Sequence, residues 1–163
     1  MKPAIPILII AFMSIYGCSA DDSLQGAYER QIKENGMDGF NIIHLEERAS
    51  VGLVLNTSWT NDYPENQFRP GIHVFEKTEG GWQAVPGTAC DANTVARLSL
   101  FGNGQLYCAS LDPESEVQEV RVGQSAAQIF DSANGSRVWF AITEERDAKA
   151  IGTTPDGREI KLN

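Results

Sequence analysis

The chain has 163 residues and carries 22 acidic against 13 basic side chains, which gives a formal net charge of −9. This balance argues against nucleic-acid binding, because phosphate recognition depends on clusters of Lys and Arg. The length suffices for one domain with a hydrophobic core and is too short for two large domains.

The first 17 residues have the features of a secretory signal peptide. Lys2 precedes an apolar run from Ala4 to Ile15, and small residues follow at Gly17 and Ser19. The run is about a dozen residues long, and a membrane-spanning helix needs roughly 20. We therefore predict that residues 1–17 are removed and take no part in the fold.

The end of this segment, "IYGCSADD" (15–22), resembles the lipobox of bacterial lipoproteins. An aliphatic residue lies three positions before Cys18 and Gly17 lies directly before it, whereas Tyr16 departs from the small or branched residue usual there. The resemblance implies cleavage before Cys18 and diacylation of this cysteine. Because no Asp follows Cys18, it also implies attachment to the outer membrane, facing the periplasm. The alternative is an ordinary signal peptide cleaved near Ala20.

Export would change both the charge and the chemistry of the remaining cysteines. Removal of residues 1–17 takes away one basic residue and no acidic one, so 12 basic and 22 acidic residues remain, a net charge of −10. An acidic surface suits a basic protein partner reached by electrostatic steering, although solubility alone would also explain it.

Cys90 and Cys108 are the two cysteines that remain, and we predict that they form a structural disulfide because the compartment oxidises thiols. The closed loop of about 19 residues would contribute roughly 3 kcal/mol in the chain-entropy model. With no Cys-x-x-Cys pair and no His at ligand spacing, a redox or metal site is not expected.

Residues 18–39 read as a lipidated tether with one short helix. Asp22 or Ser23 can cap it, an apolar face includes Leu24 and Tyr28 with either Gln31 or Ile32, and a glycine at position 36 ends it. We place the boundary of a single β domain, residues 40–163, directly after this tether.

From residue 40 onward, short runs rich in branched and aromatic residues alternate with Gly, Asn, Asp and Pro, a pattern typical of β proteins. Asn134-Gly135 and Asp156-Gly157 are strong hairpin signals, and glycine-containing turns lie near residues 80 and 103. We predict an all-β fold of antiparallel hairpins. The runs are residues 40–45, 50–59, 71–77, 82–85, 96–101, 105–110, 117–122, 127–131, 136–143, 148–153 and 158–162.

The run "SRVWFAIT" (136–143) has apolar residues on both of its alternating faces, which predicts a strand covered on both sides, as in stacked sheets. Residues 131–162 resemble one blade of the propeller repeats of the TolB-like family, with an Asp/Ser-x-x-Gly turn, an aromatic strand and an Asp-Gly turn. The pattern and the resemblance together favour a sandwich or an incomplete, propeller-like stack of small sheets.

No catalytic constellation is evident, and we expect no enzymatic activity and no cofactor. The chain lacks the nucleophile-elbow, phosphate-loop and zinc-protease motifs. His44 and His73 read as packed or half-buried side chains. Paired carboxylates at 46–47, 114 and 116, and 144–145 would suit a glycosidase, but such pairs arise by chance in a chain with 22 acidic residues.

Two loops are the candidate partner-binding sites. The first, residues 56–71, carries Trp59 and Tyr63 as aromatic anchors and is long for a hairpin connection. The second, residues 110–116, follows the predicted disulfide and offers Ser110, Asp112 and Glu114 for polar contacts. The alternatives are an aromatic loop that packs into the core and an acidic turn that is merely solvated.

A small, acidic, disulfide-braced β lipoprotein with aromatic loops resembles the periplasmic immunity proteins that protect Gram-negative bacteria from type VI secreted cell-wall hydrolases. The resemblance implies a lipid-anchored inhibitor that inserts a loop into the active-site cleft of an amidase or muramidase toxin. One alternative is a scaffold or assembly lipoprotein at the outer membrane that binds an envelope protein. Another, a solute-binding lipoprotein, would need an aromatic-lined pocket.

Overall fold

The computed structural model describes residues 22–37, 40–59, 68–92, 94–132 and 135–163. In this part of the chain one helix is followed by twelve strands, so the predicted all-β class with a short N-terminal helix is confirmed. A single 3₁₀ turn, Phe101–Asn103, lies between the fifth and sixth strands. The elements are α1 Leu24–Glu34, β1 Phe40–Arg48, β2 Val51–Trp59, β3 Phe68–Thr78, β4 Gly81–Ala89, β5 Ala96–Ser99, β6 Gln105–Leu111, β7 Glu119–Val122, β8 Ser125–Ala126, β9 Gln128–Asp131, β10 Arg137–Thr143, β11 Ala150–Thr153 and β12 Glu159–Leu162.

The strands form three small antiparallel sheets of four strands each. Sheet A has the order β1-β2-β3-β4, sheet B the order β5-β6-β10-β9, and sheet C the order β12-β11-β7-β8. The hairpins predicted from turn residues are present, including β9–β10 and β11–β12. Gly135 and Gly157 have φ angles of +79° and +81°, the left-handed conformation for which these turns require glycine.

Two strand pairs join segments that are distant in the sequence. β6 pairs with β10 inside sheet B, and β7 pairs with β11 inside sheet C. Residues 131–162 are consequently divided between two sheets, since β10 belongs to sheet B whereas β11 and β12 belong to sheet C. A propeller blade is a single sheet, so the one-blade interpretation of this segment is corrected.

The molecule is layered in the order α1, sheet A, sheet B, sheet C. Apolar side chains of sheets A and B form one core, and those of sheets B and C form a second. Val138 and Phe140 face the first core while Trp139 and Ala141 face the second, all at most 2% exposed. The prediction that "SRVWFAIT" is covered on both sides is therefore confirmed.

The helix covers the outer face of sheet A. The Ser23 hydroxyl accepts a hydrogen bond from the Gly26 N–H at 3.0 Å, so Ser23 is the N-cap. Leu24, Tyr28 and Ile32 are buried against sheet A, with Ile32 completing the apolar face that the spacing predicts. The packed core thus extends in the N-terminal direction to Leu24.

The predicted disulfide between Cys90 and Cys108 is present, with a Cα–Cα distance of 5.3 Å. Cys90 follows β4 of sheet A and Cys108 lies in the middle of β6 of sheet B. Both are fully buried in the core between these sheets. The bond therefore connects two layers of the molecule directly.

Candidate functional site

The acidic loop, defined here as residues 112–118, leads from β6 in sheet B to β7 in sheet C. Asp112, Glu114 and Glu116 are all exposed, as the sequence predicts for a loop rich in carboxylates. The buried strand β6 precedes the loop, and Val117 within the loop packs against β11. Val117 is only 2% exposed, and a Cβ added to Gly152 of β11 would lie 2.9 Å from its methyl groups.

Ser110 is a support of this loop and does not project from it. Its side chain is buried, and its hydroxyl donates a hydrogen bond to the Cys90 carbonyl at 2.5 Å. Its backbone N–H donates to the Asp91 carbonyl at 3.2 Å. These bonds attach the end of β6 to the segment after Cys90, so Ser110 positions the loop while Asp112 and Glu114 remain available to solvent.

Backbone groups of the acidic loop are fixed by further hydrogen bonds. The Ser115 N–H donates to the Asp112 carbonyl at 2.9 Å, which closes a tight turn. The Arg137 guanidinium donates to the Ser115 carbonyl at 2.7 Å, and the Gln118 N–H donates to the Thr153 carbonyl at 2.8 Å. The loop is therefore attached to sheet B through Arg137 and to sheet C through Thr153.

Charge is distributed unevenly along the loop. Arg158 of the β11–β12 turn forms ion pairs with Glu116 at 2.8 Å and with Asp156 at 2.7 Å. Hydrogen bonds from Thr154 and Arg158 lower the pKa of Asp156 below its usual value. Among the described residues Asp112 and Glu114 have no ion-pair partner, so the tip of the loop keeps its negative charge.

A cleft of about 570 Å³ separates the acidic loop from the β11–β12 turn. Its walls carry two negative side chains, Glu116 and Asp156, and two positive ones, Arg137 and Arg158. Polar side chains of a partner can therefore enter between the loop and the turn.

The structure brings the base of the aromatic loop close to the acidic loop. β2 and β3 form the hairpin that carries the aromatic loop, with Trp59 opposite Phe68 in the backbone register. The Arg69 Nε lies 3.8 Å from the Asp91 carboxylate, and the Asp91 carbonyl accepts the hydrogen bond from Ser110. Asp91 thus connects the β2–β3 hairpin with the end of β6, which leads into the acidic loop.

Several predicted site residues lie outside the described part of the chain. Tyr63, the lipidation site Cys18 and the signal peptide all lie outside the described residues. Of Trp59 only the backbone is described. Within the described residues, no helix is both long and apolar enough to span a bilayer. The same residues contain no group of three potential metal-ligating side chains.

Both histidines are packed against aromatic rings. His44 stacks on Phe130 with ring centroids 4.5 Å apart, and His73 contacts the edge of Tyr28 at 5.1 Å. Burial lowers the pKa of His73 below its ordinary value, so its imidazole is neutral at pH 7.

Sequence analysis does not reveal three residues that organise the site, namely Asp91, Arg137 and Arg158. Each acts across a layer or a hairpin boundary, and the contact between Arg137 and Ser115 joins positions 22 apart in the chain. No local spacing signals such contacts. Comparison with known proteins adds no relative: no protein-family model, curated protein or solved structure matches the chain.

Proposed function

We propose that the protein is a periplasmic, lipid-anchored immunity protein that binds and blocks the active-site cleft of a secreted peptidoglycan-degrading hydrolase, an amidase or a muramidase. It would act by binding and not by catalysis. The observation that carries this proposal is the acidic loop. Its backbone is fixed by hydrogen bonds, while the carboxylates of Asp112 and Glu114 stay exposed and form no ion pair with any described residue.

A loop already held in one conformation loses little entropy when it docks, which favours tight binding. Negative charge on the loop and a net charge of −9 for the whole chain favour encounter with a basic partner. The loop connects sheet B to sheet C and lies near the base of the β2–β3 hairpin. In this proposal the loop enters the cleft of the partner while the Trp59 region contacts the rim.

The proposed location rests on the resemblance of residues 15–22 to a lipobox. Diacylation of Cys18 would hold the domain at a membrane, with the outer membrane favoured, where a toxin delivered into the periplasm meets its substrate. Contact with the membrane would be through the lipid anchor alone.

The test begins with capture of the partner on the oxidised protein, followed by an assay of peptidoglycan hydrolysis by the captured enzyme. Inhibition by the protein at equal molar amounts is the expected result. The Asp112→Asn, Glu114→Gln double variant should inhibit at least about tenfold more weakly, since each lost charge contact at an interface costs on the order of 1 kcal/mol or more.

A Glu79→Gln, Glu144→Gln variant is the matched control, because it removes two exposed carboxylates elsewhere and changes the net charge equally. Equal weakening by both double variants would show that general charge, and not the acidic loop, governs binding. Capture of envelope assembly proteins with no hydrolase among them would instead favour the alternative, an outer-membrane-attached scaffold or assembly lipoprotein.

A further inference from the structure

A second cleft, distinct from the acidic loop, opens between the C-terminal half of α1 and the β3–β4 hairpin of sheet A. Its volume is about 480 Å³. Residues of α1, β2, β3 and β4 contribute to it, and those that carry the argument are Gln31, Asn56, Gly71, His73 and Gly87.

Asn56 occupies the floor of this cleft. It continues the face of β2 on which Val54 packs against the helix, and it is itself only 1% exposed. Neither its Nδ2 nor its Oδ1 has a hydrogen-bond partner within the described residues. Leaving a buried amide unpaired is costly, so a polar residue in this apolar stripe requires a reason.

Two other polar groups lie near the Asn56 amide. The Oε1 of Gln31, on the helix side of the cleft, is also buried and has no partner among the described residues. The Tyr28 hydroxyl lies close enough to Asn56 for this amide to counter part of the effect of burial on the Tyr28 pKa, although the two groups do not form a full hydrogen bond. The cleft thus concentrates donors and acceptors that the described protein groups leave unused.

Two glycines and an irregular register shape the strands beneath the cleft. The β3–β4 register shifts between Ile72 and Val74, which marks a β-bulge beside His73. A Cβ at Gly87 would lie 2.3 Å from the Ile72 carbonyl oxygen, so only glycine fits there. Gly71, opposite Asn56 in the register, leaves the space next to the Asn56 Oδ1 free of a side chain.

The chemistry of the lining selects an uncharged ligand. The polar side chains include three amides, a hydroxyl and a neutral imidazole, and the remaining surface includes Met37, Ile72 and Val85. The amides are those of Gln31, Asn35 and Asn56, and the hydroxyl is that of Thr88. Arg69 borders the cleft, but its guanidinium is engaged with Asp91. A charged ligand would lose its hydration without gaining a counter-charge.

We propose that this cleft binds a carboxamide group, either a peptide bond or an Asn or Gln side chain presented by a peptide or protein. A primary amide presents an N–H and a C=O side by side and can pair with both the Nδ2 and the Oδ1 of Asn56. A trans peptide bond points these groups in opposite directions, so it can pair with only one of the two atoms. The ligand reaches Asn56 past the half-buried Gln31 side chain, whose Oε1 accepts a second hydrogen bond.

The test is an NMR titration of the full ¹⁵N-labelled protein with N-methylacetamide, which mimics a peptide bond, and with propionamide, which mimics a side-chain amide. The expected result is a saturable shift of the Asn56 and Gln31 side-chain amide resonances with at least one of them. Whichever probe binds more tightly identifies the source of the amide. Methyl glucoside and sodium acetate, a polyol and an anion, should give no saturable shift.

Two variants separate binding from folding. Asn56→Leu should bind the amide probe at least tenfold more weakly and melt at a temperature no lower than the parent, because it removes an unpaired polar group. Gln31→Met should weaken binding while Gln25→Met, an exposed position on the same helix, should not. Gln31→Met also serves where Asn56→Leu does not fold.

Three results would overturn the proposal. They are no saturable shift with either amide, equal binding in the parent and in Gln31→Met, and a saturable shift with methyl glucoside or acetate in place of the amides. The first would leave the buried amides as structural features only, and the last would assign the cleft to a different ligand class.

Discussion

The acidic loop and the cleft under α1 differ in which of their polar groups form hydrogen bonds. In the acidic loop the backbone carbonyls and N–H groups are paired with Arg137, Thr153 and each other, while the charged side chains stay in water. In the cleft the backbone belongs to α1 and to sheet A, with a β-bulge beside His73, and the buried side-chain amides lack partners among the described residues. The paired backbone groups fix the shape of the acidic loop. The unpaired side chains of the cleft can still form hydrogen bonds with a ligand.

This difference implies different costs for the two regions. Exposed carboxylates on a fixed loop reduce stability little, because surface charges remain hydrated. Buried amides without partners cost on the order of 1 to 3 kcal/mol each. The protein tolerates that cost because sheet B is covered on both sides and is joined to the segment after sheet A by a disulfide.

Loss of the disulfide should have the largest effect on the free energy of unfolding. It should also affect the acidic loop. The Cys90→Ser, Cys108→Ser double variant should lose roughly 3 kcal/mol of unfolding free energy, the value expected for a loop of this length. Denaturant unfolding measures the loss. Because Ser110 binds the Cys90 carbonyl, the amide protons of residues 110–112, 114 and 115 should also exchange faster.

Reduction of the parent protein provides the control for this variant. Dithiothreitol should destabilise the parent to the level of the double variant and leave the double variant unchanged. A parent protein equally stable with and without reductant would contradict the assignment of a stabilising role to this bond.

The next effect tests the burial of Tyr28 beside Asn56 and depends on pH. Burial raises the pKa of Tyr28 to about 12, against an ordinary value of 10.0. Between these values the unfolded protein releases the phenolic proton and the folded protein retains it, so rising pH favours unfolding. The raised pKa of Tyr28 should therefore lower the free energy of unfolding by about 2 to 3 kcal/mol as the pH rises from 10 to 12.

The Tyr28→Phe variant isolates this contribution. Its unfolding free energy should match or exceed that of the parent at pH 7, because a hydroxyl without a hydrogen bond is removed. Above pH 10 the parent should lose stability more steeply than the variant. Parallel curves through the alkaline range would mean that Tyr28 ionises as easily in the folded state as in the unfolded state.

Much of the fold was predictable because its signals are local. The Ser23 cap, the apolar face that ends in Ile32, and the hairpins around Gly135 and Gly157 each depend on a few neighbouring residues. The pairings of β6 with β10 and of β7 with β11 depend on which distant strands bury matching faces. Turn residues carry no information about that choice, so neither the strand order nor the division into three sheets could be read in advance.

The exposure of the acidic loop was predictable, whereas the contacts that support the loop were less so. The exposed carboxylates of residues 112–116 follow from composition, but the role of Ser110 does not. Alternation along β6 gives no sign that its hydroxyl reaches a carbonyl on the segment after sheet A. Asn56 does leave a signal, since it is a polar residue next to the apolar run 51–55 at a position where the strand faces the helix.

The smallest effect separates the order of the acidic loop from the stability of the whole domain. Arg137→Lys keeps the positive charge but loses the guanidinium donor that reaches the Ser115 carbonyl at 2.7 Å. Unfolding free energy should fall by about 1 kcal/mol or less, because this hydrogen bond is only partly buried. Hydrogen exchange at the Ser115 amide should nevertheless accelerate, since the turn that it closes with Asp112 loses its attachment to sheet B.

Arg121→Lys, which alters an exposed ion pair in sheet C, should leave that amide unchanged. If Arg137→Lys left it unchanged as well, the shape of the loop would depend on the Asp112–Ser115 turn and the Thr153 bond alone, and the proposed preorganisation by sheet B would be wrong.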